Sequence, residues 1–156
     1  SIGLNPSKED SILRKYIEEE DRFNLTSNQL LIENKMLFIP VEGTVTQGFN
    51  PKENHLAIDI AVDVGTPIKA ASDGRVLFAE WTLETGYVII IDHGDMLTTA
   101  YKHNSAVLKK QNEFVNAGEI IALSGNHGTL TTGPHLHFEL WKNGSPIDPA
   151  QLFNFQ

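Results

Sequence analysis

The sequence predicts a mainly β fold, an antiparallel β-sandwich or partly open barrel. Three observations carry that expectation. Short runs of β-branched and aromatic residues follow one another from Phe38 onward, glycine-rich turns separate them, and no sustained helical period appears in the same stretch. The runs are Ile68 to Ala70, Arg75 to Trp81, Tyr87 to Ile91, Leu97 to His103, Ile120 to Leu123 and Leu136 to Trp141. Lys142-Asn143-Gly144-Ser145 supplies an Asn-Gly hairpin turn. A chain of many short strands and no helices buries its apolar faces by stacking or closing a sheet.

Upstream of Pro40 the composition changes. Ser7-Lys8-Glu9-Asp10 has capping-box spacing, and Ile12, Leu13, Tyr16 and Ile17 recur at helical intervals. Residues 1–37 are therefore expected to form a short N-terminal helix or linker segment, and residues 38–156 the main domain. A solvated linker without a helix is the competing expectation for the first segment.

Composition narrows the function classes. The chain has 156 residues, 40% hydrophobic and 21% charged, enough for one domain with a sizeable core. A formal net charge of −8 argues against a nucleic-acid surface, and no polybasic patch for anionic lipid is present. There is no cysteine, which removes disulfides, thiol catalysis and thiolate-bound zinc. No apolar run is long enough to span a bilayer, and no signal-peptide pattern starts at Ser1, although a trimmed chain would look the same.

Three segments read together as one metal site: His55-Leu56-Ala57-Ile58-Asp59, Tyr101-Lys102-His103 and Gly133-Pro134-His135-Leu136-His137. A hydrolytic zinc uses imidazole nitrogen and carboxylate oxygen as ligands and keeps one position for water. On a strand His135, His137 and Glu139 share one face, with neighbours two apart separated by roughly 6.6 Å. His55 and Asp59 would lie about 13 Å apart on a flat strand, too far for one ion. That segment is therefore expected to bend where a loop or bulge enters a strand near Ile58. By the same alternation Thr99, Tyr101 and His103 should share a face. Beside a zinc site His103 becomes an acid–base or oxyanion candidate. His93 is expected at a hairpin tip without a catalytic role, and His127 on an exposed loop. A faint internal echo relates Gly65-Thr66-Pro67-Ile68-Lys69-Ala70 to Gly118-Glu119-Ile120-Ile121-Ala122-Leu123.

Taken in order, these pieces look familiar. From roughly Phe38 to Phe153 the chain resembles the lysostaphin-type zinc metalloendopeptidases of bacterial cell walls. Pro40 to Phe49 is similar to the family's opening strand. It is followed by His55-x-x-x-Asp59, Gly65-Thr66-Pro67-Ile68, Asp73-Gly74-Arg75-Val76 and Asp92-His93-Gly94. Tyr101-x-His103, Ser124-Gly125, Gly133-Pro134-His135-Leu136-His137-Phe138-Glu139 and Asp148-Pro149 complete the set. Ala57 stands where the family usually has glycine, and Phe49 and Asn50 occupy a region where some members carry a tyrosine that helps stabilise the transition state.

The resemblance implies a duplicated hybrid β-fold, which fits the internal echo. It implies one Zn2+ per chain held by His55, Asp59 and His137, with His103 and His135 as unligated catalytic histidines. The implied activity is hydrolysis of peptide cross-links in peptidoglycan through a metal-activated water. Stem or cross-bridge peptides would be the partners, and the location extracytoplasmic. Glu139 is a candidate to orient a ligand imidazole.

The main alternative is a catalytically inactive relative that binds wall peptides or activates another cell-wall hydrolase. The three filled ligand positions count against it. A phosphocarrier would not need Asp59 with His-x-His, and a biotinyl or lipoyl carrier lacks a suitably placed lysine, Lys142 lying in a plain Asn-Gly turn. Residues 1–37 carry none of the site candidates. They are expected to link to a membrane anchor, dock a partner protein, or cover the cleft, in which case Asn24 to Met36 would lie over it with Asn28 or Glu33 at the metal.

Overall fold

The computed structural model describes residues 37–126, 133–153 and 155. The expected N-terminal helix, the Asn24 to Met36 strip with Asn28 and Glu33, and His127 lie outside the described residues.

Ten strands form in chain order: β1 (Thr44–Gln47), β2 (Ile58–Ala61), β3 (Pro67–Lys69), β4 (Gly74–Thr82), β5 (Gly86–Asp92), β6 (Leu97–Val107), β7 (Phe114–Val115), β8 (Ile120–Ser124), β9 (His135–Lys142) and β10 (Ser145–Ile147). The fold is mainly β and antiparallel, as the residue pattern predicts. Among the described residues only two short 3-10 turns, Pro51–Glu53 and Pro149–Gln151, are helical. The sheet runs β1-β2-β9-β6-β5-β4-β7, with β10 on β9 and the β3–β8 pair joined through β8 to β6.

Each expected run forms a strand, although Ala70 falls one residue past β3, and β1, β2, β7 and β10 add to them. The Asn143-Gly144 turn joins β9 to β10, with φ of 53° and 81° at its two residues. Both values are positive, as a two-residue turn matched to strand twist requires. The echo also has a structural counterpart, because its two halves pair with each other. Ile68 lies opposite Ala122, and the flanking bonds repeat: Gly65 N–H to Ser124 O and Gly118 N–H to Ala70 O, each 2.8 Å. Gly65 and Gly118 hold φ of 86° and 81°, a conformation that glycine adopts without the Cβ penalty.

Alternation along β9 sorts the core from the site. Leu136, Phe138 and Leu140 enter the larger apolar cluster with Ile58, Ile60, Ile89 and Tyr101. On the opposite face Trp141 packs with Phe78, Val88, Ile90, Met96 and Ala100. Burying each such large side chain contributes about 1.5–3 kcal/mol, so both faces of the central strands are stabilised by packing.

A polar thread also runs through the larger core. His93 Nδ1–H donates to the Asp73 carbonyl (2.8 Å) and its Nε2 accepts from the Thr99 hydroxyl (2.7 Å). Thr99 and Tyr101 hydroxyls are 2.7 Å apart, and the Ala71 amide donates to Tyr101 OH at 3.0 Å. His93 thus lies in the connection between β5 and β6, at the hairpin turn, with its ring buried and bonded to core neighbours. Burial pushes the Tyr101 phenol up to about 12, against the opposing hydrogen bonds.

Candidate metal centre

β2 and β9 pair in a register that sets Asp59 opposite His137 and Ala61 opposite His135. Opposed residues point to the same side of a sheet, so the aspartate of one strand meets the histidines of the other. Asp59 Oδ1 lies 3.1 Å from His137 Nδ1, and Oδ2 lies 3.2 Å from His55 Nε2 and 3.8 Å from His135 Nε2.

His55 reaches the site from outside the strand. Asn50 caps the 3-10 turn, its backbone pairs with that of His55, and β2 begins only at Ile58. The segment bends where the spacing argument requires. Ala57 is fully buried behind it.

His55, Asp59 and His137 each offer an atom such that all three lie within 4.8 Å of one another. The outer ring nitrogens are already taken. His55 Nδ1 faces the Gly48 carbonyl at 2.8 Å, and His137 Nε2 faces Glu139 Oε2 at 2.9 Å. Oxygens of that kind accept, so these nitrogens carry protons, and His55 Nε2 and His137 Nδ1 are the nitrogens turned inward toward Asp59, where a metal ion would displace any proton they hold. His55 Nε2 is buried, and Asp59 Oδ2 at 3.2 Å is close enough to act on its charge but off the line of a regular hydrogen bond. An imidazole tethered at its outer nitrogen, with the inner one turned to a carboxylate and a second imidazole, is the arrangement of a metal ligand. The donor set of two imidazoles and one carboxylate fits a divalent metal such as zinc.

The electrostatics of the three groups are mutual. Burial alone would raise the Asp59 carboxyl. Hydrogen bonds from His137 and His55 outweigh that and hold it well below the usual range. Burial likewise works against a charged His137, but Asp59 and Glu139 overcome it and hold the ring at about 9. The Asp59 hydrogen bond raises His55, with burial opposing. The centre is therefore anionic enough to attract either protons or a metal ion, and the two compete for the same nitrogen on His137.

His135 and His103 stand beside this set. His135 Nδ1 donates to the Gly133 carbonyl at 2.8 Å, which leaves Nε2 facing Asp59. The His103 ring centroid is 5.0 Å from that of His135 and 5.7 Å from that of His137. Here simple alternation fails. Thr99 and Tyr101 do share the core face, but His103 does not follow them. Tyr101 pairs with Ile89 and Asn104 with Tyr87, so Lys102 and His103 together face the single residue Val88. This bulge carries φ of 68° at His103, and the His103 amide donates to the Thr85 carbonyl at 2.8 Å. The extra residue turns His103 onto the face of His137. A left-handed non-glycine residue costs about 1–2 kcal/mol, so the surrounding bonds hold the ring there against local preference.

Lys102 escaped notice in the sequence. It pairs with His137 across β6 and β9, is 2% exposed, and its Nζ lies 2.9 Å from Glu139 Oε2. A lysine inside an otherwise buried strand run was the available signal.

The sequence signature of peptidase family M23 matches residues 53–149, more than half of the chain. The chain belongs to this family. The M23 match contains every candidate site residue, from His55 to His137. The chain is 35% identical over 113 residues to the peptidoglycan DD-endopeptidase ShyB of Vibrio cholerae, covering 67% of this chain and 26% of ShyB. It is 40% identical over 114 residues to the murein hydrolase activator NlpD of Escherichia coli, covering 72% of this chain and 30% of NlpD. It thus spans less than a third of these curated relatives. Among solved structures, the catalytic domain of lysostaphin from Staphylococcus simulans superposes with a TM-score of 0.59 at 30% identity. That superposition covers 78% of this chain and 94% of the lysostaphin domain. The M23 region is therefore close in extent to a whole catalytic domain, and the lysostaphin likeness expected from the motifs holds.

Proposed function

We propose that this M23 chain is a zinc-dependent endopeptidase that hydrolyses peptide cross-links of peptidoglycan outside the cytoplasm. The observation that carries this is the complete His55–Asp59–His137 set, closed to within 4.8 Å and flanked by two further imidazoles. These three residues would hold one Zn2+ per chain. A zinc ion there supplies Lewis-acid polarisation of the scissile carbonyl and lowers the pKa of a bound water to about 7.

The chain's own residues do the rest. His135 keeps its Nδ1 proton on the Gly133 carbonyl, so its Nε2 lone pair is placed to take the proton of the attacking water and return it to the leaving amine. His103, turned inward by its bulge, is placed to donate to the oxyanion that develops on the carbonyl oxygen. Stem or cross-bridge peptides are the substrates that the ShyB likeness supports, and extracytoplasmic placement follows from them.

The NlpD likeness favours a second reading, activation of another wall hydrolase without cleavage. Digestion of purified peptidoglycans of several cross-link types by the chain alone, with mass analysis of the fragments, separates the two. New amino termini at a defined cross-link support the endopeptidase. Intact cross-links with a fully zinc-loaded chain would leave activation as the function.

A further inference from the structure

We propose that Lys102 and Glu139 form a buried positioning pair that fixes His137 with Nδ1 turned toward the metal position. The proposal rests on the zinc reading above and deepens it. Glu139 is held at three points: Oε2 accepts from His137 Nε2 and from Lys102 Nζ, each 2.9 Å, and Oε1 accepts from Trp141 Nε1 at 2.9 Å. Lys102 and Glu139 are each 2% exposed, and Trp141 is 1% exposed.

Stability does not explain this pair. A desolvated ion pair is commonly no more stabilising than apolar side chains of the same volume, and the neighbouring cluster of Phe78, Ile90, Met96 and Ala100 shows that such side chains pack on this face. Orientation does explain it. An imidazole turned by half a rotation about its Cβ–Cγ bond exchanges Nδ1 with Cδ2 and Nε2 with Cε1, and would direct a carbon at Asp59 and another at Glu139. A carboxylate acceptor on one side requires an N–H there, which fixes both the flip and the tautomer. Trp141 restrains one carboxylate oxygen and Lys102 the other, so Glu139 cannot swing away from the ring. Lys102 lies directly across from His137 in the β6–β9 register, so the same strand pairing that builds the site also delivers its brace. Neither residue touches the reacting atoms, so both are positioning residues.

The test measures zinc affinity by chelator competition for the unaltered chain, Glu139→Gln, Lys102→Met, the double variant and His137→Ala. Melting of the metal-free proteins and the visible spectrum of the Co2+-loaded forms are read alongside. Glu139→Gln and Lys102→Met should each weaken zinc about 10–100-fold and alter the cobalt bands. The double variant should lose no more than Glu139→Gln alone, because Lys102 acts through Glu139. The double variant also buries no net charge, so it keeps the test open if Lys102→Met alone does not fold. Unchanged zinc affinity and cobalt bands in Glu139→Gln, with only a lower melting temperature, would show a purely structural role and overturn the pair. Losses that simply add in the double variant would overturn it too. Zinc retained by His137→Ala would bring down the ligand assignment itself, an outcome distinct from failure of the brace.

Discussion

Strand β9 delivers His135 and His137 by regular alternation, whereas β6 delivers His103 only by interrupting it. On β9 the two histidines stay in register with Asp59 and Ala61 of β2, and the leucines and phenylalanine between them fill the core. On β6 the same logic carries Thr99 and Tyr101 into the core and would take His103 with them. The bulge at Lys102 and His103, tied to the Thr85 carbonyl, reverses that. Asp59, His135 and His137 thus rest on unstrained, paired backbone, His55 on the bend before β2, and His103 on strained backbone. Regular pairing fixes three of the side chains by register alone, and the other two need a local departure from it.

The largest way to break the contrast is at the regular strands. Asp59→Ala or His137→Ala should abolish both bound zinc and hydrolysis, while the unaltered chain carries about one zinc by elemental analysis, as a mononuclear site does. Full zinc content in His137→Ala would show that the register of β2 and β9 does not define the metal centre. Next come the flanking imidazoles. His135→Ala and His103→Ala should keep their zinc but lose roughly 10²–10⁴ in rate, the usual contribution of a general acid or base. If His103→Ala emptied the site while His55→Ala did not, the roles assigned to the two would have to be exchanged.

Two smaller effects probe β6 alone. Tyr101, on the regular stretch just before the bulge, ionises at about 12 in the folded chain and near 10.0 otherwise. Its folded value is the higher one, so the stability it contributes is complete below pH 10 and is lost as pH rises toward 12. The size is about 2–3 kcal/mol. Denaturant unfolding followed across that interval should show the decline in the unaltered chain and not in Tyr101→Phe. At the bulge, His103→Gly should be more stable than His103→Ala by about 1 kcal/mol, because only glycine occupies a φ of 68° without strain. Equal melting temperatures for the two would mean that the backbone at His103 relaxes once the ring is gone.

Much of this contrast was legible in the residues and some was not. The alternation of Leu136 to Trp141 announces β9, and the four-residue gap between His55 and Asp59 requires the bend that Asn50 and the 3-10 turn provide. What placed Asp59 against His137 is a pairing across 78 residues, which spacing cannot supply and the ordered motifs could. The His103 bulge was hard to read, because histidine is enriched at positive φ but still adopts it in only a minority of cases, and strict alternation put it on the wrong face. Lys102 was passed over for a related reason. A lysine is ordinarily solvent-facing, and its burial depends on Glu139, which belongs to another strand.

The thread from Asp73 through His93, Thr99 and Tyr101 to the Ala71 amide gives the larger core a clock. The Ala71 amide can meet solvent deuterium only when the segment after β3 parts from the Tyr101 hydroxyl on the buried strand β6. The Ala71 amide, although it lies outside any strand, should therefore exchange on the timescale of complete unfolding, alongside the central amides of β5 and β6 and far behind those of the exposed edge strand β1.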